Sequence, residues 1–292
     1  MEFEFLKDLF FPKKSIKAAD SQAPSAPRPF VIRSEDAERL FDSTDESFTG
    51  FVLNGEEKGL PKVPNQIETT GYLMQNALIL IDSGEWELAR MILSEITSMD
   101  EMNLEAIRWT AWCFWKEGQL DKAATWYKAL TEKRKAEEDF FELGEIYYQN
   151  QKFDQAQGAW LEAMKVCGAE NPRLFDIYKN LGNVATVLGD FDGAEEQYNK
   201  ALTLRPDSDV LQVNMGTLMY QQGDSLEALH HFKSALEINP ENERAWCGVA
   251  MAALSMSDID FAKEAVGHAL EINPQSPVAL QLKNEESLWK SR

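Results

Sequence analysis

Residues 181–206 read LGNVATVLGDFDGAEEQYNKALTLRP. Thirty-four positions on, residues 215–240 read MGTLMYQQGDSLEALHHFKSALEINP, and after the same interval residues 249–274 read VAMAALSMSDIDFAKEAVGHALEINP. Small residues recur in register at Gly182, Gly216 and Ala250, and again at Ala194, Ala228 and Ala262. Large residues recur at Tyr198, Phe232 and Val266, and a proline closes each copy at Pro206, Pro240 and Pro274. Small side chains let two helix axes approach, large ones fill the remaining space, and proline cannot continue a helical hydrogen-bond ladder. Gly189-Asp190, Gly223-Asp224 and Ser257-Asp258 sit mid-copy, where a tight turn needs left-handed backbone. Each copy therefore predicts one helix–turn–helix hairpin.

Weaker copies lie upstream. Leu143-Gly144, Tyr147, Phe153, Ala156 and Trp160 form one; Ala111, Phe114, Gly118, Ala123 and Tyr127 another; Ala77, Leu80, Gly84, Trp86, Ala89 and Leu93 the first. The turns run Gly84, Gly118, Gln151, Gly189, Gly223 and Ser257, in steps of 34, 33, 38, 34 and 34 residues. The long step coincides with extra residues around Glu170-Asn171-Pro172. This combination of small, large and turn residues resembles the tetratricopeptide repeat family. The resemblance implies an all-α fold: a right-handed superhelical α-solenoid of six repeats over residues 70–276. Six exceeds the roughly three units that a stable stack needs.

The flanks read differently. Residues 277–292 predict a capping helix, with Val278, Ala279, Leu282 and Leu288 covering the last repeat and Ser276-Pro277 opening it. Asn171-Pro172 reads as a second pairing of N-cap and proline. Residues 1–69 form an N-terminal arm, expected to be partly disordered: an aromatic segment with Phe3, Phe5, Phe10 and Phe11, a Ser-, Ala- and Pro-rich stretch at 15–29, and a short helix near 35–42 behind Ser34. That aromatic segment is read as a docking or autoinhibitory element, or as a cover for the first repeat.

With 292 residues, 44% hydrophobic and 27% charged, the chain can bury a large core, but its formal net charge is −20. Such a surface repels phosphate backbones and acidic headgroups, which disfavours nucleic-acid and lipid partners. No stretch is long and apolar enough to span a membrane, and Met1-Glu2-Phe3-Glu4 is no secretory signal, so a cytoplasmic location is expected. Cys113, Cys167 and Cys247 are too dispersed to hold a metal, and His230, His231 and His268 stand in no metal-ligand spacing. No nucleophile, acid–base pair or phosphate loop assembles, so neither catalysis nor a cofactor is expected.

A binding role remains, and family resemblance places the first helix of each repeat along a concave groove. Lys179, Asn183, Asn214 and Arg244 match four of the five places with which the carboxylate-clamp subset grips a peptide C-terminus; Gly248 holds the fifth, where a second cation belongs. Asparagine at Asn183 and Asn214 also has a structural reading, bonding to neighbouring groups. A second candidate surface combines Arg108, Trp112, Trp115 and Lys116 with Phe141 and Tyr148, rings beside cations suited to an apolar or acidic segment. The same rings can equally be packing between repeats; Trp109 and Phe114 are assigned to the core. The expected function is an adaptor or scaffold that binds a peptide or partner domain. Alternatives are a chaperone holding a client segment and a regulator that sequesters an enzyme.

Overall fold

A computed structural model describes residues 66–284, with side chains from Thr69 onward. The arm, its aromatic segment, Ser34 and the helix expected near 35–42 lie outside the described residues, as does Leu288. Thirteen α-helices and no strands occupy the described residues. They run α1 Gln66–Asp82, α2 Trp86–Met99, α3 Leu104–Lys116, α4 Leu120–Lys133, α5 Glu137–Gln149, α6 Phe153–Val166, α7 Leu174–Leu188, α8 Phe191–Leu204, α9 Asp209–Gln222, α10 Ser225–Ile238, α11 Glu243–Ser255, α12 Ile259–Ile272 and α13 Pro277–Asn284. The chain divides into two compact units at Trp126 and Tyr127, inside α4. Each unit is a stack of consecutive antiparallel helices.

The turns follow from one residue each. Gly84, Gly118, Gln151, Gly189, Gly223 and Ser257 all have positive φ, between 58° and 88°, and no other described residue does. These are the six positions the repeat spacing selects. The aspartate that follows then starts the second helix: Asp190, Asp224 and Asp258 accept from the backbone N–H groups of Gly193, Glu227 and Phe261 at 3.0–3.1 Å. One left-handed residue and one capping carboxylate thus reverse the chain in two positions. The second helices α8, α10 and α12 end two residues before Pro206, Pro240 and Pro274, as the prolines require.

Packing inside a hairpin rests on pairs sixteen residues apart. The Trp160, Tyr198 and Phe232 rings lie directly on Gly144, Gly182 and Gly216, so closely that a Cβ on any of these glycines would overlap the ring. All three rings are buried. Tyr198 and Phe232, space-filling residues by the repeat pattern, each lie across their own hairpin, and Phe232 also packs on Gly248 of the next repeat. Burying such a ring contributes roughly 2–3 kcal/mol at about 25 cal/mol per Å².

One boundary differs from expectation. Helix α7 begins at Leu174, not at Asn171-Pro172, because the Asn171 side chain accepts from the Arg173 N–H at 2.9 Å and closes a turn before the helix. At the C-terminal end, Ser276 caps α13 through the Ala279 N–H at 3.2 Å, and Ala279 and Leu282 are buried against the last hairpin.

In the second unit, successive first helices approach one another, α7 with α9 and α9 with α11, more closely than successive second helices do. Closer spacing on one side curves the stack towards that side. The first-helix face of this unit is therefore its inner face.

Candidate peptide-binding site

Asn183 is the centre of the inner face of the second unit. Its Oδ1 accepts two hydrogen bonds, from the Tyr198 hydroxyl of α8 at 2.8 Å and from Asn214 Nδ2 of α9 at 2.8 Å. Double acceptance fixes the amide's orientation, and no described residue accepts from its Nδ2. Asn214 is 8% exposed and is spent on this bond. Tyr198 is fully buried, and burial raises its pKa, with the Thr186 hydroxyl at 3.3 Å opposing. One turn of the ladder further, Asn180 of α7 donates to Glu145 of α5. Bonds between first helices thus run across repeat boundaries along this face.

Arg244, at the start of α11, is exposed, yet protein surrounds much of it. Desolvation lowers its pKa, with the Glu243 carboxylate opposing. Tyr148 is half-buried at the end of α5, its ring against Phe153 and Trp160 at 5.5 and 5.7 Å. Burial is the main cause of its raised pKa, so the phenol stays protonated, and its hydroxyl has no hydrogen-bond partner among the described residues. Asn183 Nδ2 and the Tyr148 hydroxyl are thus donors without an acceptor among the described residues.

The other expected groups are placed otherwise. Lys179 pairs with Asp176 at 2.6 Å, one turn back on the same helix, and lies 5.7 Å from the Phe175 ring centre. Gly248, the fifth place of the clamp pattern, is buried under the Phe232 ring. A basic side chain there would have to displace that ring.

Of the aromatic set, four residues belong to the first unit. Trp112 packs edge-on to Trp86 at 5.3 Å and to Trp109 at 5.7 Å, and Lys116 sits 4.9 Å from its ring centre. Trp109 is buried. Phe114 is half-buried, held between Arg90 at 4.3 Å and Lys122 at 5.4 Å, while Arg90 also pairs with Glu117. Arg108 and Trp115 are half-buried. In the second unit, Phe141 packs against the core below it and carries Arg173 at 5.0 Å. Most of these rings are thus engaged by their own chain.

The residue types alone do not disclose the roles of Tyr198 and Asn180. The repeat pattern gives Tyr198 only a space-filling role, whereas the glycine sixteen residues earlier lets its ring cross the hairpin. Among the cysteines, burial pushes the Cys113 thiol up to about 12, with Arg90 opposing, which leaves it inert. Among the described residues no three His, Cys, Asp or Glu side chains are grouped to hold a metal, and no helix is long and apolar enough to cross a membrane.

Comparison with known proteins gives the same architecture. Three family models, each described as a tetratricopeptide repeat, match residues 74–138, 140–207 and 219–285. Tetratricopeptide repeat protein 8 of Caenorhabditis elegans is 24% identical over 141 residues, 48% of this chain. The chain spans only 28% of that relative's length. Among solved structures, PilF of Pseudomonas aeruginosa aligns with a TM-score of 0.59 at 19% identity, covering 75% of this chain and 99% of that one. PilW, a type IV pilus biogenesis factor, aligns with a TM-score of 0.62 at 14% identity, covering 74% and 99%. At these identities the structural likeness concerns the fold alone. With six helical hairpins turning at the repeat's own spacing, and three family models along their length, the chain belongs to the tetratricopeptide repeat family.

Proposed function

We propose that this protein is a non-catalytic adaptor that holds an extended segment of another protein on the inner face of its second unit. The observation that carries this reading is the Asn183 amide, whose Oδ1 is fixed by Tyr198 and Asn214 and whose Nδ2 has no acceptor among the described residues. Donors of this kind suit carboxylates and backbone carbonyls, and a charge-assisted bond to Arg244 adds roughly 1.5–3 kcal/mol where water is excluded. With Gly248 under Phe232 and Lys179 held by Asp176, the face has one strong cation instead of the clamp's several. It therefore favours an internal acidic segment over a chain terminus bearing two carboxylates. Trp112, Trp115, Arg108 and Lys116 form a second, apolar contact surface in the first unit.

Affinity capture from the source cell, comparing the wild type with Arg244→Ala, Tyr148→Phe and Trp112→Ala/Trp115→Ala, tests both surfaces. Loss of a partner with Arg244→Ala or Tyr148→Phe supports the inner face; loss with the double tryptophan variant supports the second surface. Equal recovery of every partner by all four proteins overturns both.

A further inference from the structure

On the second-helix side of the last two repeats, away from the inner face, α10, α11 and α12 form a cavity of about 370 Å³. Leu236, Trp246, Val249 and Phe261 wall it, and the exposed Lys233 and Glu237 stand at its edge. Its walls are held by their own chain. The Trp246 indole donates to the Pro240 carbonyl at 2.9 Å, and its ring lies against His268 with 4.5 Å between centres. Lys233 Nζ sits 5.2 Å from the Phe261 ring centre, so this cation is already drawn onto a ring.

One repeat earlier, the equivalent positions bridge the two helices: His231 Nδ1 of α10 and Gln212 Oε1 of α9 share a hydrogen bond at 2.9 Å. Thirty-four residues on, Ala265 and Trp246 hold those two places, and an alanine side chain cannot reach across. The space beside Trp246 is therefore left to an outside group.

Charge selects that group. Residues 225–272 carry eight Asp and Glu against three Lys and Arg. Close to the cavity, Glu237 is on its edge, while Glu264 and Glu271 lie 3.9 and 3.4 Å from His268, the ring that backs Trp246.

We propose that this cavity docks a basic segment of a partner protein, which inserts one aromatic side chain against Trp246 and Phe261 while its lysines or arginines meet Glu237, Glu264 and Glu271. Rings attract an inserted ring through stacked or edge-on contacts, and a Trp246 already fixed in place needs no ordering on binding. The net charge of −20 draws a basic segment in during encounter and repels an acidic one. The inner face and this cavity thus select opposite charges, and each assignment stands without the other.

The test pans a random dodecapeptide phage library over the full chain. Selected peptides should carry an aromatic residue flanked by lysine or arginine. One such peptide, synthesised with a fluorescent label, is then titrated by anisotropy into the wild type and three variants. Val249→Met, which gives the cavity wall the residue found one repeat earlier at Met215, should weaken binding about tenfold. Glu237→Lys, on the exposed edge, should weaken it about fivefold. Tyr148→Phe, on the inner face, should leave it unchanged. Selection of no peptide, of acidic peptides, or of peptides indifferent to both Val249→Met and Glu237→Lys overturns the proposal. Peptides that respond to Val249→Met but bind equally well with glutamine in place of their basic residues reduce the site to an apolar slot and overturn the basic partner. A wild-type dimer in light scattering that dissociates on Val249→Met puts a second copy in the cavity and overturns it as well. None of these outcomes touches the inner face, so failure here leaves the adaptor reading of that face intact.

Discussion

The first hairpin and the fourth fill the same gap with different atoms. In α1 and α2 the residues sixteen apart are Ala77 and Leu93, both fully buried; in α7 and α8 they are Gly182 and Tyr198. The spacing sets where the two helices meet, while the volume can be divided evenly or given almost wholly to one partner. That division has a functional consequence. With glycine beneath it, the Tyr198 ring crosses the hairpin and delivers a hydroxyl to Asn183 on the inner face. Leu93 fills its gap and carries nothing across. In the fourth hairpin, the core and the candidate site therefore share a residue.

The contrast can be broken most severely at Gly248, where Phe232 leaves no room. Gly248→Lys, which would complete the clamp pattern, should destabilise the protein by about 3 kcal/mol or more through overpacking and a buried charge; urea denaturation measures it. A stable Gly248→Lys protein would show that the ring can move. Next, Gly182→Ala should cost about 1–3 kcal/mol against the Tyr198 ring, whereas Ala77→Gly in the even-volume hairpin should cost only about 1 kcal/mol, as expected of a helical glycine. Similar losses at both positions would remove the distinction between the two packing modes. Tyr198→Phe keeps the ring and removes the bond to Asn183, so it should cost about 1 kcal/mol; peptide affinity should fall with it, since the Asn183 amide loses one of its two anchors. Leu93→Ile, with no such link, should leave binding unchanged. The smallest effect concerns the turns. Gln151 and Ser257 hold left-handed backbone without being glycine. Gln151→Gly and Ser257→Gly should each raise stability by about 0.5–1 kcal/mol, readable as a shift in thermal midpoint, while Gly223→Ala should lower it.

The fold was legible in sequence because turn chemistry and interhelical volume are local properties repeated at a fixed interval. Gln151 and Ser257 could be assigned as turns from register alone, although neither residue type favours left-handed backbone. The start of α7 was not legible, because Asn171 bonds to Arg173 where it was expected to cap the helix, a choice between two short-range geometries that the residue types leave open. The candidate site was only partly readable. Asn183 and Arg244 were visible as residue types in family register. The orientation of the Asn183 amide depends on Tyr198 and Asn214, from two other helices. The reason for glycine at 248 lies in a ring sixteen residues upstream, and periodicity alone does not say which neighbour a small residue accommodates.

At several boundaries in the second unit, a residue opening one repeat bonds to an acid at the head of the repeat before it. Asn171 donates to Glu137, Asn242 to Asp209, and Ser276 to Glu243. Because each such link spans one period and involves no distant part of the chain, it acts as an interchangeable coupling. A duplicated or excised 34-residue segment would restore the same coupling at its new border. The length of the array, and with it the reach of its binding face, can therefore change by whole units during evolution without redesign of the neighbours.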